Sequence, residues 1–364
     1  MKNNGKTGRL IFRTMLPALL LILIVVMSML PFGCRSSVDG IDFLQGDFSL
    51  PEIVNVQVVD SYSVTLDFSK PVCVNLARIS EKSESNLENS SDVSSQLEDE
   101  GHRVTFTMKN KSKIGQKYLL DAELEDQSGN TLTVQVEFRG FNDRIPELVM
   151  SELRMKKKSN KSGPECVEFY AITAGNTSGL ALVSGANGNE NRYEFPAMEV
   201  KAGEYIVLHL RNDCEGSVDE TGANLSLATA PDCTRTSRDI FAPRGDKDKR
   251  FLGIGSDVIY LQNVNSGKVY DALLVIDKKK NPEKMPDSLL AAASLIEESG
   301  LWLDSDGNPS CTLESAVDGS TIDKDAHSLN RRNVRTLKAD SHPAKASMWY
   351  EVTKTKEQTP GLPN

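Results

Sequence analysis

Apolar side chains alternate with polar ones over much of the chain between residues 51 and 140. A period of two is typical of β-strands that bury one face and expose the other. Polar or Gly/Asn turns separate the alternating runs, so the pattern predicts roughly five strands or more in a small antiparallel sandwich. The stretch from Ser80 to Gly101 is rich in Ser and Glu, and we predict a solvated loop there. The alternating apolar positions are Val54, Val56, Val58, Val64, Leu66, Phe68, Val104, Phe106, Met108, Tyr118, Leu120, Ala122, Leu124, Leu132, Val134, Val136 and Phe138.

A second β-rich region follows a predicted linker at residues 141–146. Within it, one run has the period of a helix instead of a strand. Asp287 or Ser288 is placed to cap the N-terminus of this helix, and Gly300 is placed to end it. The pattern therefore predicts one short helix inside a second β domain. The strand-like runs of this region are 147–155, 165–173, 179–185, 192–210, 256–277 and 347–352.

The N-terminal segment has the features of a bacterial export signal. Residues 1–33 carry four cations and no acids, and an uncharged apolar run from Met15 to Gly33 precedes Cys34. The sequence Leu-Pro-Phe-Gly-Cys that ends at Cys34 resembles a lipobox. This resemblance implies that residues 1–33 are removed, that Cys34 is lipidated and anchors the protein to the membrane, and that 34–50 form a tether. An uncleaved signal anchor and a plain secretory signal are the alternatives.

Net charge limits the range of partners. The formal net charge is -9, from 42 Lys and Arg against 51 Asp and Glu, and without the four N-terminal cations it becomes -13. Such a chain repels phosphate backbones, so nucleic-acid binding would need a segregated basic face. Basic clusters occur at 156–161, 278–284 and 331–335, and solvated turns are their simplest interpretation. The candidate contacts to an anionic ligand are Lys156, Lys157, Lys158, Arg331 and Arg332.

The cysteines and the acidic motifs give little indication of a catalytic or metal-binding site. The chain has six Cys, and lipidation of Cys34 leaves an odd number. Cys214 and Cys233 lie in one polar excursion and form a candidate disulfide. We predict no metal site, because no CxxC occurs and the four histidines lack zinc-ligand spacing. The run Asp304–Asn308 departs from an EF-hand loop and is predicted to be a plain Asp-Gly turn. No catalytic residue and no cofactor is predicted.

Two family resemblances refine the fold. The run SVTLDFSKPV at 63–72 resembles bacterial Ig-like domains. Four segments resemble the lamin-tail domain, an Ig-like β-sandwich: VMSELRM with ECVEFYAITAGNTSGLALV, YEFPAMEVKAGEYIVLHL, VIYLQNVNSGKVYDALLV, and the closing TPGLPN. The resemblance implies a bacterial Ig-like domain at 51–141 and a lamin-tail-like Ig-fold domain at 145–364. The expected fold class is all-β, with two tandem Ig-like β-sandwiches and one short helix inserted in the second. The segment TPGLPN is expected to lie against a sandwich edge, because its prolines remove backbone donors.

These features together predict a non-enzymatic lipoprotein of the bacterial cell envelope, either periplasmic or surface-exposed. It would present its lamin-tail-like domain to an unknown protein or anionic polymer as a binding or scaffolding module. The alternative is a secreted hydrolase or nuclease, or its attachment accessory, acting through inserted loops at 211–250 and 278–325. A purely structural spacer is a third hypothesis. The resemblance to bacterial Ig-like domains itself implies no catalytic residues.

Overall fold

The computed structural model of the protein describes residues 49–363, except for 84–85, 156–164, 187–190, 211–214, 232, 235, 243–249, 323, 325–326, 341 and 355–356. Strands dominate this part of the chain, which contains one α-helix of 10 residues. No helix in it has both the length and the apolar sequence needed to cross a membrane. The prediction of an all-β, sandwich-like fold with a short helix is therefore confirmed.

The first eight strands form two antiparallel four-stranded sheets, in the orders β1-β2-β6-β5 and β4-β3-β7-β8. Apolar residues from both sheets share one hydrophobic core, so the sheets pack face to face, and we call this pair the first sandwich. The predicted alternation is clear in β2, where Val64, Leu66 and Phe68 are buried. The strands are β1 (Ile53–Val58), β2 (Ser63–Phe68), β3 (Val72–Lys82), β4 (Leu87–Asp92), β5 (Ser94–Glu98), β6 (Arg103–Thr107), β7 (Lys117–Asp126) and β8 (Thr131–Arg139).

The stretch from Ser80 to Gly101 is not the loop that its composition predicts. It contains the end of β3 and all of β4 and β5, whose side chains are almost entirely exposed. Both β4 and β5 are edge strands and pair through their backbones with β3 and β6. Edge strands with polar side chains on both faces carry no hydrophobic period, so the pattern could not reveal them.

The remaining strands form the second sandwich. Its two large sheets have the orders β16-β15-β10-β9-β21-β23 and β13-β12-β17-β18-β20, and they share one core. Two further sheets of this region have two strands each, β11-β14 and β19-β22. The strands are β9 (Leu148–Arg154), β10 (Cys166–Ala171), β11 (Gly175–Asn176), β12 (Leu180–Ser184), β13 (Arg192–Glu194), β14 (Glu199–Val200), β15 (Tyr205–His209), β16 (Arg238–Phe241), β17 (Asp257–Asn263), β18 (Val269–Ile276), β19 (Trp302–Leu303), β20 (Val317–Asp318), β21 (Ser328–Arg331), β22 (Ala344–Lys345) and β23 (Trp349–Val352).

The predicted helix lies between β18 and β19. A 3-10 turn at Asp287–Leu289 leads into α1 (Leu290–Ser299), which buries Ala293 and Ile296. Gly300 ends the helix with φ 69°, as predicted. The predicted side-chain cap is absent, however, because the N-cap position falls on Leu289. The Asp287 carboxylate instead accepts a hydrogen bond from Lys284 at 3.0 Å.

The two sandwiches belong to one compact unit formed by residues 51–126 and 131–364. The Asn142 side-chain amide, in the predicted linker, donates to the carbonyl oxygens of Asn176 and Ser178 at 2.7 and 2.8 Å. The Nε of Arg139, at the end of β8, donates to the Glu194 carboxylate of β13 at 3.0 Å. Polar contacts therefore join the two sandwiches on either side of residue 141.

Candidate functional site

A β-bulge in β9 places polar side chains on the face of the six-stranded sheet that lies opposite the hydrophobic core. Glu152 pairs with Glu168, and the next pair is Met150 with Phe169, so Ser151 is an extra residue in β9. Met150 lies in the hydrophobic core, whereas Ser151 and Glu152 contact groups on the opposite side of the sheet. Two carboxyl groups thus stand side by side on the central strands, both fully buried.

The C-terminal segment covers these two carboxyl groups. The backbone N–H of Thr359 donates to Oε2 of Glu152 at 3.1 Å, and the N–H of Gly361 donates to Oε2 of Glu168. The Ser151 hydroxyl donates to the other oxygen of Glu168. Residues 359–363 of the segment TPGLPN are therefore part of the fold, but they lie over the central strands of the sheet instead of the predicted edge.

Burial raises the pKa of both carboxyl groups, Glu152 and Glu168. Desolvation raises the pKa of Glu168 to about 8, although the hydrogen bonds from Ser151 and Gly361 oppose the shift. Desolvation likewise raises the pKa of Glu152, opposed by the charge of Arg154 and the N–H of Thr359. The neutral form of Glu168 is therefore favoured beneath the C-terminal segment up to about pH 8.

Substitution of Gly361 tests how tightly this segment docks. Its φ is 81°, and a Cβ there would overlap Ser237 Oγ and lie 2.9 Å from Thr234 Cβ. Gly361→Ala should therefore speed hydrogen–deuterium exchange in residues 357–363 and destabilise the protein by more than the approximately 1–2 kcal/mol of the left-handed backbone alone. Gly300→Ala is the matched control, because its φ is 69° and nothing lies within 4 Å of the added atom. Equal exchange of the C-terminal peptide in wild type and Gly361→Ala would contradict the docking.

A second polar cluster lies on the same sheet at β15 and β16. His209 Nε2 is 2.8 Å from Asp239 Oδ1, both side chains are buried, and the imidazole stacks on Phe241. One ligand-type atom from each of His209, Cys233 and Asp239 lies within 4.8 Å of the others. These residue types bind zinc, but no local spacing in the sequence links the three positions, so the sequence pattern does not predict the cluster. The Asp239 carboxylate also accepts the N–H of Thr234 at 3.0 Å, so it orders this loop.

The candidate disulfide involves one residue of this cluster. Cys233 is half-buried, whereas Cys214 lies outside the described residues. The pairing of Cys214 with Cys233 therefore stays a prediction.

Arg331 has a different role from the one predicted. Its side chain is fully buried, and Nη1 donates to Asp271 Oδ1 and Nη2 to the His342 carbonyl, each at 2.9 Å. The other oxygen of Asp271 accepts the backbone N–H of Met150 at 2.7 Å. The prediction that Arg331 contacts an anionic ligand is wrong, because its guanidinium joins the two large sheets and cannot reach solvent.

Of the other predicted anion contacts, Lys156, Lys157 and Lys158 lie outside the described residues. Arg332 is exposed, and its guanidinium lies over the Tyr350 ring at 4.4 Å from the ring centre. Arg335 is exposed on the same segment. Arg332 and Arg335 are thus the solvent-accessible cations of the 331–335 cluster.

The run Asp304–Asn308 forms the predicted turn. Asp304 Oδ1 accepts the backbone N–H groups of Asp306 and Asn308, each at 2.9 Å. These hydrogen bonds lower the pKa of Asp304. One carboxylate oxygen of Asp304 is therefore occupied by hydrogen bonds within the turn, as in an Asx-turn.

The fold and its buried polar contacts define a mostly β, sandwich-like protein with a large second sandwich. Residues 146–351, more than half of the chain, match the family TP_1001_2nd, described as a protein second domain. The chain belongs to this family.

Similarity to individual proteins is more limited. An uncharacterized protein of Treponema pallidum (strain Nichols) is 30% identical over 200 residues, which cover 53% of this chain and 49% of that protein. The chain thus spans about half the length of this curated relative. Among solved structures, the N-terminal part of the bacterial S-layer protein SbsC has 14% identity and a TM-score of 0.23, with coverage of 63% and 44%. A DUF4785 family protein of Legionella pneumophila has 11% identity and a TM-score of 0.20, with coverage of 63% and 57%.

Proposed function

We propose that the protein is a non-enzymatic lipoprotein of the bacterial cell envelope, held in the membrane by lipid on Cys34. In this proposal it acts as a binding or scaffolding module. Residues 51–141 are a bacterial Ig-like domain, and 145–364 are a lamin-tail-like Ig-fold domain presented to a protein or anionic-polymer partner. The export signal and lipobox resemblance support the anchor.

One observation supports a structural and binding role over catalysis. Two polar pairs that the second sandwich buries are engaged within the protein: Arg331 with Asp271, and His209 with Asp239. Buried pairs of this kind specify and hold an arrangement of strands. The exposed Arg332 and Arg335 are available to a partner, and the docked C-terminal segment is consistent with the lamin-tail resemblance.

The anchor is tested by metabolic labelling with palmitate. Wild type should be labelled and should sediment with membranes, whereas Cys34→Ala should lose the label and leave the membrane fraction, because two or three acyl chains supply the anchoring energy. Cys73→Ala is the control, since Cys73 is an exposed cysteine on β3 and should leave both readouts unchanged. Label that persists in Cys34→Ala would remove the basis of the proposal.

A further inference from the structure

A cleft of about 360 Å³ lies where the two sandwiches meet. Its walls come from four places: the end of β1, residues 141–145, the Ser178–Gly179 turn and the hairpin between β17 and β18. Small-molecule sites typically have volumes of about 300–1,000 Å³ and favour junctions between domains. The cleft is thus large enough for a small ligand and lies where such sites are common.

Backbone and side-chain hydrogen bonds hold the walls in place. The N–H of Val264, in the hairpin, donates to the Gly179 carbonyl at 2.8 Å. Within the hairpin, Asn263 Oδ1 accepts the N–H of Asn265 at 2.7 Å. The amide of Asn142 ties residue 142 to the Ser178 carbonyl. Three of the four wall segments are therefore linked to one another before any ligand arrives, which reduces the entropy that binding must oppose.

Three polar side chains that line the cleft have no side-chain hydrogen-bond partner among the described residues. Gln57, Asp143 and Asn265 form no side-chain hydrogen bond or ion pair with any other residue that the structure describes. The two amides each offer donors and an acceptor, and the carboxylate offers acceptors only. The cleft thus offers both kinds of hydrogen-bonding group.

The charge and the apolar surface of the lining residues limit the class of ligand that the cleft can bind. Asp143 is the only charged residue among the described lining residues, and it repels an anion placed next to it. The ammonium of Lys268 lies outside the lining, over the Tyr270 ring at 5.0 Å from the ring centre, so the cleft has no strong preference for either sign of charge. Phe141 and Tyr270 contribute rings to the lining, and each is only half-buried. A fully apolar ligand would leave the amides without partners, which is unfavourable. The lining therefore suits a neutral ligand with many hydroxyls and one apolar face.

We propose that this cleft binds a neutral saccharide. The hydroxyls of a sugar ring donate to Asp143, and they both donate to and accept from Gln57 and Asn265. The C–H face of the ring packs on Phe141 or Tyr270. This site is separate from the exposed arginines and from the lipid anchor, so the proposed function and the cleft can fail independently.

Saturation-transfer difference NMR tests the proposal on the full chain in detergent. The probes are maltotriose and triacetylchitotriose at millimolar concentration, with tri-alanine as a peptide probe and a heparin disaccharide as an anionic one. At least one neutral trisaccharide should receive saturation, and the double variant Gln57→Ala/Asn265→Ala should weaken its binding about five-fold or more. Asn75→Ala is the matched control: its amide contacts Glu125 on the first sandwich, away from the cleft lining, and binding should not change.

Both substituted side chains lack side-chain bonds to the rest of the described protein, so the double variant should unfold thermally like wild type. A correctly folded double variant that binds the trisaccharide as well as wild type does would overturn the proposal. Absence of saturation for both neutral trisaccharides would overturn it too. Saturation of tri-alanine or the heparin disaccharide alone would assign the cleft to a different ligand class and equally reject it.

Discussion

Arg331→Met is expected to lower the free energy of unfolding of the second sandwich by about 3–5 kcal/mol. The substitution leaves the Asp271 carboxylate fully buried without its cation, and it leaves the His342 carbonyl without a donor. The chain has two tryptophans, Trp302 and Trp349, and both lie buried in the core of this sandwich. Urea unfolding followed by tryptophan fluorescence therefore reports on the affected region.

The neighbouring arginine provides the control. Arg332→Met changes an exposed side chain and should shift the free energy of unfolding by no more than about 0.5 kcal/mol. Adding Asp271→Asn to Arg331→Met removes the uncompensated charge and should recover part of the loss. If Arg331→Met and Arg332→Met had equal effects, the buried pair would not have the role described.

Glu168→Gln is expected to change how stability depends on pH. The pKa of Glu168 in the folded protein is about 8, above its ordinary value of 4.5, because burial disfavours the charged form. The folded state therefore binds more protons than the unfolded state between these two pH values. The stabilisation is complete below pH 4.5 and is lost as the pH rises through about 8, with a slope of up to about 1.4 kcal/mol per pH unit.

The measurement is urea unfolding of wild type and Glu168→Gln at several pH values between about 5 and 8. Wild type should lose stability across this range, whereas the variant should show a shallower dependence. The variant retains some slope because burial also raises the pKa of Glu152. Glu123→Gln, on the exposed face of β7, should reproduce the wild-type profile. Parallel profiles for wild type and Glu168→Gln would exclude the burial effect as the source of the pH dependence.

The sequence predicts strands well where one face is buried. In β2 the apolar positions Val64, Leu66 and Phe68 alternate, and all three lie in the core. The short helix is also identified, because its apolar stripe and Gly300 are local features. Local patterns of this kind follow directly from the geometry of the element. The hydrophobic pattern does not predict the polar edge strands β4 and β5, because their pairing uses backbone groups, which every sequence supplies.

The candidate site was harder to predict, because its partners are distant in sequence. Arg331 and Arg332 are adjacent and chemically alike, yet one is buried and the other is exposed. The difference depends on Asp271, which lies 60 residues away. His209 and Asp239 are similarly brought together by the pairing of β15 with β16. Without the sheet order, no spacing rule identifies these pairs.

The buried Asp271 carboxylate has a consequence for how the chain folds. It joins the backbone of Met150, 121 residues earlier, to the side chain of Arg331, 60 residues later. Contacts between distant parts of a chain slow the search for the native state. We expect the six-stranded sheet to form slowly and late in folding, because both edges of β9 are paired only after β21 has joined it.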